Sequence, residues 1–193
     1  MTRLFLVRHG PTHAKVMVGW SDLPADLSDT AAIARLSAHL PTTARLISSD
    51  LIRATATADA IQTTQTRLPH DPQLREINFG AWELRSHADI EAEDPDKIRA
   101  YWDSPGEVRP PGGESWYQVC ARVDKAVDHL MDSHKDHDLI IVAHFGVILT
   151  QLQRALRLDT DATFAHRIDN LSVTELTRHT PDIWSPGLIN HLP

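Results

Sequence analysis

Short apolar runs alternate with amphipathic stretches along this chain, and the two periods predict a succession of strands and helices. Arg3 to Val7 is an apolar run that stops abruptly at Arg8-His9-Gly10-Pro11, which predicts a buried strand entering a turn. Ser28 is placed to cap a helix with its stripe at Ile33, Leu36 and Leu40, closed by Pro41. Ala44 to Ile47 reads as a second strand, and Ser48-Ser49-Asp50 offers caps for an alanine- and threonine-rich helix from Leu51 to about Gln65. From Arg67 to Trp82 the pattern is irregular. Residues 86 to 103 predict one or two short helices broken near Pro95, and Pro105 to Gly113 a loop. Trp116, Val119, Cys120, Val123, Val127, Leu130 and Met131 then recur at helical spacing, the clearest amphipathic helix in the chain. Asp138 to Ala143 carries the strongest buried-strand signal, followed by a helix from about Gly146 to Leu158. A weaker strand is expected over Leu171 to Thr177, with another around Ile183.

That order favours an α/β sheet of mostly parallel strands with helices on both faces, all 193 residues forming one domain. In such sheets ligands collect beyond the carboxyl ends of the strands, where helices begin. Three strand-to-helix junctions deliver charged or imidazole side chains to that edge: Arg8 and His9, then Arg53 in the first turn of its helix, then His144. Two guanidiniums and two imidazoles meeting there would form an anion pocket, because the arginine fork can hold two phosphate oxygens and stays charged. An arginine in a helix's first turn opposes the dipole, a cost easier to understand beside a bound anion.

Composition narrows the partners. Acidic residues outnumber basic ones 26 to 19 for a formal charge of −7, which argues against a nonspecific nucleic-acid binder. One cysteine, Cys120, excludes an internal disulfide and a cysteine-based zinc site, and suits a reducing, cytoplasmic setting. The run from Leu139 to Leu149 is interrupted by His144 and falls far short of the ~20 residues of a membrane span; the apolar N-terminal run is too short for a signal peptide. No membrane partner is expected.

Five motifs together resemble the histidine phosphatase superfamily. They are Leu6-Val7-Arg8-His9-Gly10; Ser48 to Ala58 around Arg53; Leu74-Arg75-Glu76-Ile77-Asn78-Phe79-Gly80-Ala81-Trp82-Glu83; Pro111-Gly112-Gly113-Glu114-Ser115; and Val142-Ala143-His144-Phe145-Gly146. The resemblance spans residues 3 to about 178. It implies the phosphoglycerate-mutase-like three-layer α/β sandwich and phosphoryl transfer through a phosphohistidine, with neither metal nor cofactor. Under it His9 is the nucleophile, and Glu76 the acid that protonates the leaving oxygen and then activates water. Arg8, Arg53 and His144 hold the phosphoryl oxygens, and Thr12 donates a hydroxyl hydrogen bond. The implied partner is a small phosphate ester. Trp82-Glu83-Leu84-Arg85-Ser86-His87 resembles, more narrowly, the alpha-ribazole phosphatase type, although sugar and nucleotide phosphatases of the group share that segment.

The sequence also departs from the family pattern. Pro11, Ala14 and Lys15 replace usual family residues, Lys15 standing where an asparagine that helps bind phosphate is expected, and Asp29-Thr30-Ala31 lacks a common glycine. Glu83 is the runner-up for the acid. His13 reads as pocket mouth or surface. The His134-Lys135-Asp136-His137-Asp138 run reads as a solvated connection rather than a metal clamp, and Cys120 as an inert buried thiol. Two rival functions stand beside the phosphatase: a phosphoglycerate mutase, disfavoured by the 34 residues between Glu76 and Pro111, and a silent phospho-ligand-binding module, which would need neither His9 nor Glu76.

Overall fold

The computed structural model describes all of residues 1–193. In chain order the elements are β1 (Thr2–Arg8), α1 (Thr30–His39), β2 (Arg45–Ser48), α2 (Ile52–Ile61) and β3 (Thr66–Arg67). Next come α3 (His87–Glu93), α4 (Pro95–Asp103), α5 (Trp116–Ser133), β4 (Leu139–Ala143) and α6 (Phe145–Leu156). The chain ends with α7 (Thr160–Phe164), β5 (Val173–Thr180) and β6 (Ile183–Pro186). The six strands form one sheet in the order β3-β2-β4-β1-β5-β6.

Strands β3, β2, β4 and β1 are parallel, whereas β5 runs antiparallel to β1 and β6 antiparallel to β5. The expected mostly parallel sheet is therefore a parallel centre with one edge folded back as a hairpin. Alternation along the strands divides the core in two. Leu4 and Leu6 of β1 and Leu139, Ile141 and Ala143 of β4 pack with α5 and α6; Phe5, Val7, Ile140 and Val142 face α1 and α2. Helices on both faces make the three-layer sandwich. A satellite cluster of Trp82, Ile90, Ile98 and Tyr101 holds α3 and α4 together.

The local signals shifted in identifiable ways. Asp29, not Ser28, caps α1, accepting from Ala32 N–H at 2.9 Å. No side chain of Ser48, Ser49 or Asp50 caps α2; Asp22, from a distant loop, accepts from Ile52 N–H at 2.7 Å. Asp50 instead pairs with Arg75 at 2.5 Å. The helix stops at Ile61 rather than near Gln65 because Gln62 turns extended, freeing the chain to reach β3. The amphipathic helix α5 begins with a reciprocal cap between Ser115 and Gln118. No helix is long and apolar enough to cross a membrane.

Candidate active site

The register of the two central strands places the first pair of side chains. Arg8 is the partner of Ala143, so His9 and His144 leave adjacent parallel strands side by side. The backbone N–H, the carbonyl and the ring Nδ1 of His9 each have a hydrogen-bond partner. Its N–H donates to Ala143 O at 3.1 Å and its carbonyl accepts from Asn170 Nδ2 at 2.8 Å. Its Nδ1 lies 2.6 Å from Gly10 O, so Nδ1 carries the proton and Nε2 presents its lone pair. Leu171 follows in a left-handed conformation, φ 60°, and donates its N–H to Arg8 O at 3.0 Å. Strain at so bulky a residue is sustained only where neighbours enforce it.

Arg53 comes from the first turn of α2, and its Nε–H donates to His9 Nε2 at 3.3 Å. The rest of its fork is fixed by Ser21 O at 2.9 Å and Gly19 O at 2.6 Å. Its helix also supports the turn after His9: Thr57 Oγ1 accepts from Gly10 N–H at 3.0 Å while donating to Arg53 O at 2.7 Å. The loop carrying Gly19 and Ser21 is organised by Glu83. That carboxylate accepts from the N–H groups of Gly19, Trp20, Ser21 and Phe79 and from Ser21 Oγ. Although burial pushes the other way, these donors bring its pKa below the usual carboxylate value. Glu83 is thus a committed anion that shapes the loop under Arg53, and its oxygens are already occupied.

The His144 ring stands edge-on to that of His9, with centroids 5.1 Å apart. It is fully buried and neither ring nitrogen has a hydrogen-bond partner in the protein. Arg8 donates Nη1 to Ile168 O at 2.6 Å and lies over the Phe145 ring, 5.4 Å from its centroid, while its buried Nε has no partner. Burial first, then the nearby arginines, hold both imidazoles neutral: His9 is lowered to about 3 and His144 well below its ordinary value. Two buried guanidiniums beside two imidazoles, with Arg8 Nε and both His144 ring nitrogens lacking a protein partner, are chemically suited to an oxyanion.

Glu76 lies beside these four groups and is buried. Its oxygens accept from Gly146 N–H at 3.1 and 3.2 Å and from Ile77 N–H at 3.0 Å. Burial nevertheless prevails over these amides and the arginines, so its pKa is raised above the usual carboxylate value. The main chain beneath it is clamped twice. Trp20 Nε1 donates to Glu76 O at 2.8 Å, and Arg122 of α5 reaches Gln73 O, Arg75 O and Glu76 O at 2.6, 3.0 and 3.2 Å. Arg122 is itself gripped by both oxygens of Glu114, each at 2.8 Å.

Five of the six candidate residues therefore converge. Thr12 does not share a hydrogen bond with them; its Oγ1 only approaches Ala14 N–H at 3.5 Å. Lys15 is exposed, and His13 pairs at the surface with Asp26 at 2.8 Å. His137 meets Arg45 at 3.1 Å in the turn before β4. Cys120 is half-buried rather than buried, and desolvation pushes its thiol up to about 12. The supporting residues Glu83, Asn170, Thr57, Arg122 and Trp20 were not assigned these roles from sequence.

Comparison with known proteins places the chain in a family. A model of the histidine phosphatase superfamily (branch 1) matches residues 4–188. The adenosylcobalamin/alpha-ribazole phosphatase of Salmonella typhimurium is 31% identical over 175 residues, covering 86% of each chain. The glucosyl-3-phosphoglycerate phosphatase of Mycobacterium tuberculosis is 33% identical over 202 residues, covering 96% of this chain and 87% of that one. Among solved structures, YhfR of Bacillus stearothermophilus superposes with a TM-score of 0.90 at 26% identity, over 100% of this chain and 98% of that one. The chain belongs to the histidine phosphatase superfamily, branch 1, as a hydrolase acting on phosphate esters.

Proposed function

We propose that this protein is a phosphomonoesterase that works through a phosphohistidine on a small phosphorylated metabolite. The observation that carries the reading is the state of His9: a buried neutral imidazole with its Nδ1 proton fixed on Gly10 O and its Nε2 facing Arg53. Nε2 attacks phosphorus in line; the P–O ester bond breaks, and its electron pair goes to the leaving oxygen, which takes the Glu76 proton. Arg8, Arg53 and His144 stabilise the equatorial oxygens as charge redistributes, His144 through a ring N–H. Water then attacks phosphorus, gives a proton to Glu76, and the P–N bond breaks with its pair returning to Nε2. The products are an alcohol and inorganic phosphate, and each catalytic group ends as it began.

A module that only held phosphate would use the arginines but would gain nothing from a fixed imidazole tautomer or a raised carboxyl pKa. The lone thiol supports a cytosolic setting. Single-turnover measurements with 32P-labelled esters test the assignment. His9→Ala abolishes labelling and turnover for every ester. Glu76→Gln slows phosphorylation by an alkyl ester far more than by p-nitrophenyl phosphate, whose leaving anion needs little help. Labelling that persists in His9→Ala would falsify the nucleophile assignment, and equal slowing of both esters removes Glu76 from the acid role.

A further inference from the structure

A cavity of about 510 Å³ opens from the Glu76 carboxyl, a size ordinary for a small-molecule site. Six aromatic rings line it: Phe79, Tyr101, Trp102, Trp116, Phe145 and Phe164. Its only acidic lining residues are Glu76 and Asp161, and no lysine, arginine or histidine faces it. Phe145 joins the cavity to the phosphoryl site, because Arg8 lies over its ring. Glu76 belongs to both as well. A phosphoryl group held by Arg8, with its bridging oxygen at Glu76, therefore sends its substituent into this aromatic chamber.

The chamber is built on purpose-like packing rather than left over from it. Tyr101 is anchored against Trp82 in the satellite core, with ring centroids 5.4 Å apart and nearly perpendicular. Trp116 is buried and packs against Phe164 at 4.7 Å. By contrast Trp102 is 48% exposed at the end of α4, a large apolar surface left in water beside the opening.

Resting on the phosphohistidine reading above, we propose that the cavity selects phosphate esters whose leaving group is an uncharged aromatic system of one or two rings, and discriminates against leaving groups that carry a second anion. Apolar and aromatic contacts supply the attraction; the Asp161 carboxyl, with no lysine, arginine or histidine in the lining to offset it, supplies the rejection. A carboxylate-bearing ester such as a phosphoglycerate finds no partner there.

Three esters of alkyl alcohols, tested on the intact protein, isolate this effect from the intrinsic ease of leaving: ethyl phosphate, 2-(2-naphthyl)ethyl phosphate and 3-phosphoglycerate. The expected kcat/KM for the naphthyl ester is about 10²-fold above ethyl phosphate, from the extra apolar area buried, with 3-phosphoglycerate below both. Trp102→Ala and, separately, Phe164→Ala reduce the naphthyl-to-ethyl ratio by about 10-fold, and Asp161→Asn raises the relative rate on 3-phosphoglycerate. Equal kcat/KM on all three esters, with His9 still labelled by phosphate, overturns the cavity proposal alone. Absence of both labelling and turnover on every ester overturns the phosphatase reading, and the cavity proposal with it.

Discussion

The Glu76 carboxyl sits on the backbone N–H of Gly146, at the start of α6, with both oxygens within 3.2 Å and no arginine in ion-pair contact. The Glu76 carboxyl is thus placed by the main chain of the same junction that delivers His144. This approach requires a glycine: a Cβ at position 146 would overlap Glu76 Oε1 and crowd Ile77 Cγ1 at 3.1 Å. Gly146→Ala should displace the acid while leaving His9 in place. Turnover of alkyl phosphates is expected to fall about 10²-fold and that of p-nitrophenyl phosphate less than ~10-fold, in line with the size of general-acid catalysis. Comparable losses on both esters in single-turnover kinetics would mean that the substitution disturbs more than Glu76.

Glu83 and Glu76 are separated by the same logic. Glu83 has five donors and a lowered pKa, and it acts on the phosphate only through the loop that grips Arg53. In Glu83→Gln the loop loses acceptor strength and Arg53 loosens. The inhibition constant of inorganic phosphate should rise by about 10-fold, a loss typical of one charge-assisted contact. The ratio of alkyl to aryl turnover should stay unchanged. A shift in that ratio would make Glu83 a proton donor after all.

The buried imidazoles tie stability to pH. His9 and His144 are neutral in the folded protein well below 6.5, whereas in the unfolded chain they protonate near that value. The unfolded state then binds more protons, so stability falls as pH drops from about 6.5 toward the His9 value of about 3. Glu76, with its raised pKa, has the opposite sign: its contribution is present below the unfolded carboxyl value of 4.5 and is lost as pH rises through the folded one. At ~1.4 kcal/mol per pKa unit, the histidines contribute a few kcal/mol across the acid window. Urea titrations between pH 7 and pH 4 should show a shallower decline for His9→Gln and for His144→Gln than for the parent. Identical slopes would show that the imidazoles are not the groups taking up protons.

Arg122 joins the α5 face to the segment carrying Glu76 through three carbonyls and the Glu114 fork. Both side chains are largely buried, and removing one partner strands the other. Arg122→Met is expected to cost about 2–3 kcal/mol by denaturant midpoint, and to reduce alkyl-ester turnover more than aryl-ester turnover. Arg122→Lys restores the charge without the planar fork and should recover only part of either. Full recovery by lysine would reduce the role of Arg122 to charge alone.

Arg8, His9 and His144 are legible in the sequence because each sits where an apolar run breaks. Val7 gives way to Arg8-His9, and Ala143 to His144, and a strand's end is the one place where a buried run can present a polar side chain to a ligand. The supporting shell is not legible in that way. Asn170 reaches His9 across 161 positions and Asp22 caps α2 across 30, and no local period encodes such partners. Strand direction is equally silent: nothing in the residues of β5 marks it as antiparallel, and its pairing with β1 follows from the chain's return path. Ser28 and Asp29 are both good caps, and which one serves depends on where the helix axis is set by Leu36 against the sheet.

The 5.1 Å between the two imidazole rings is close to the ~4.8 Å that separates any two hydrogen-bonded strands. His9 and His144 each follow the last paired residue of neighbouring strands, and the His9 N–H prolongs their ladder by one rung onto Ala143 O. The gauge of the reacting centre is therefore set by peptide geometry, which side-chain substitutions leave untouched. The aromatic chamber, by contrast, draws its walls from α4, α5 and α7 as well as α6. Those helices can be resurfaced for a different alcohol without the distance between His9 and His144 being measured out again.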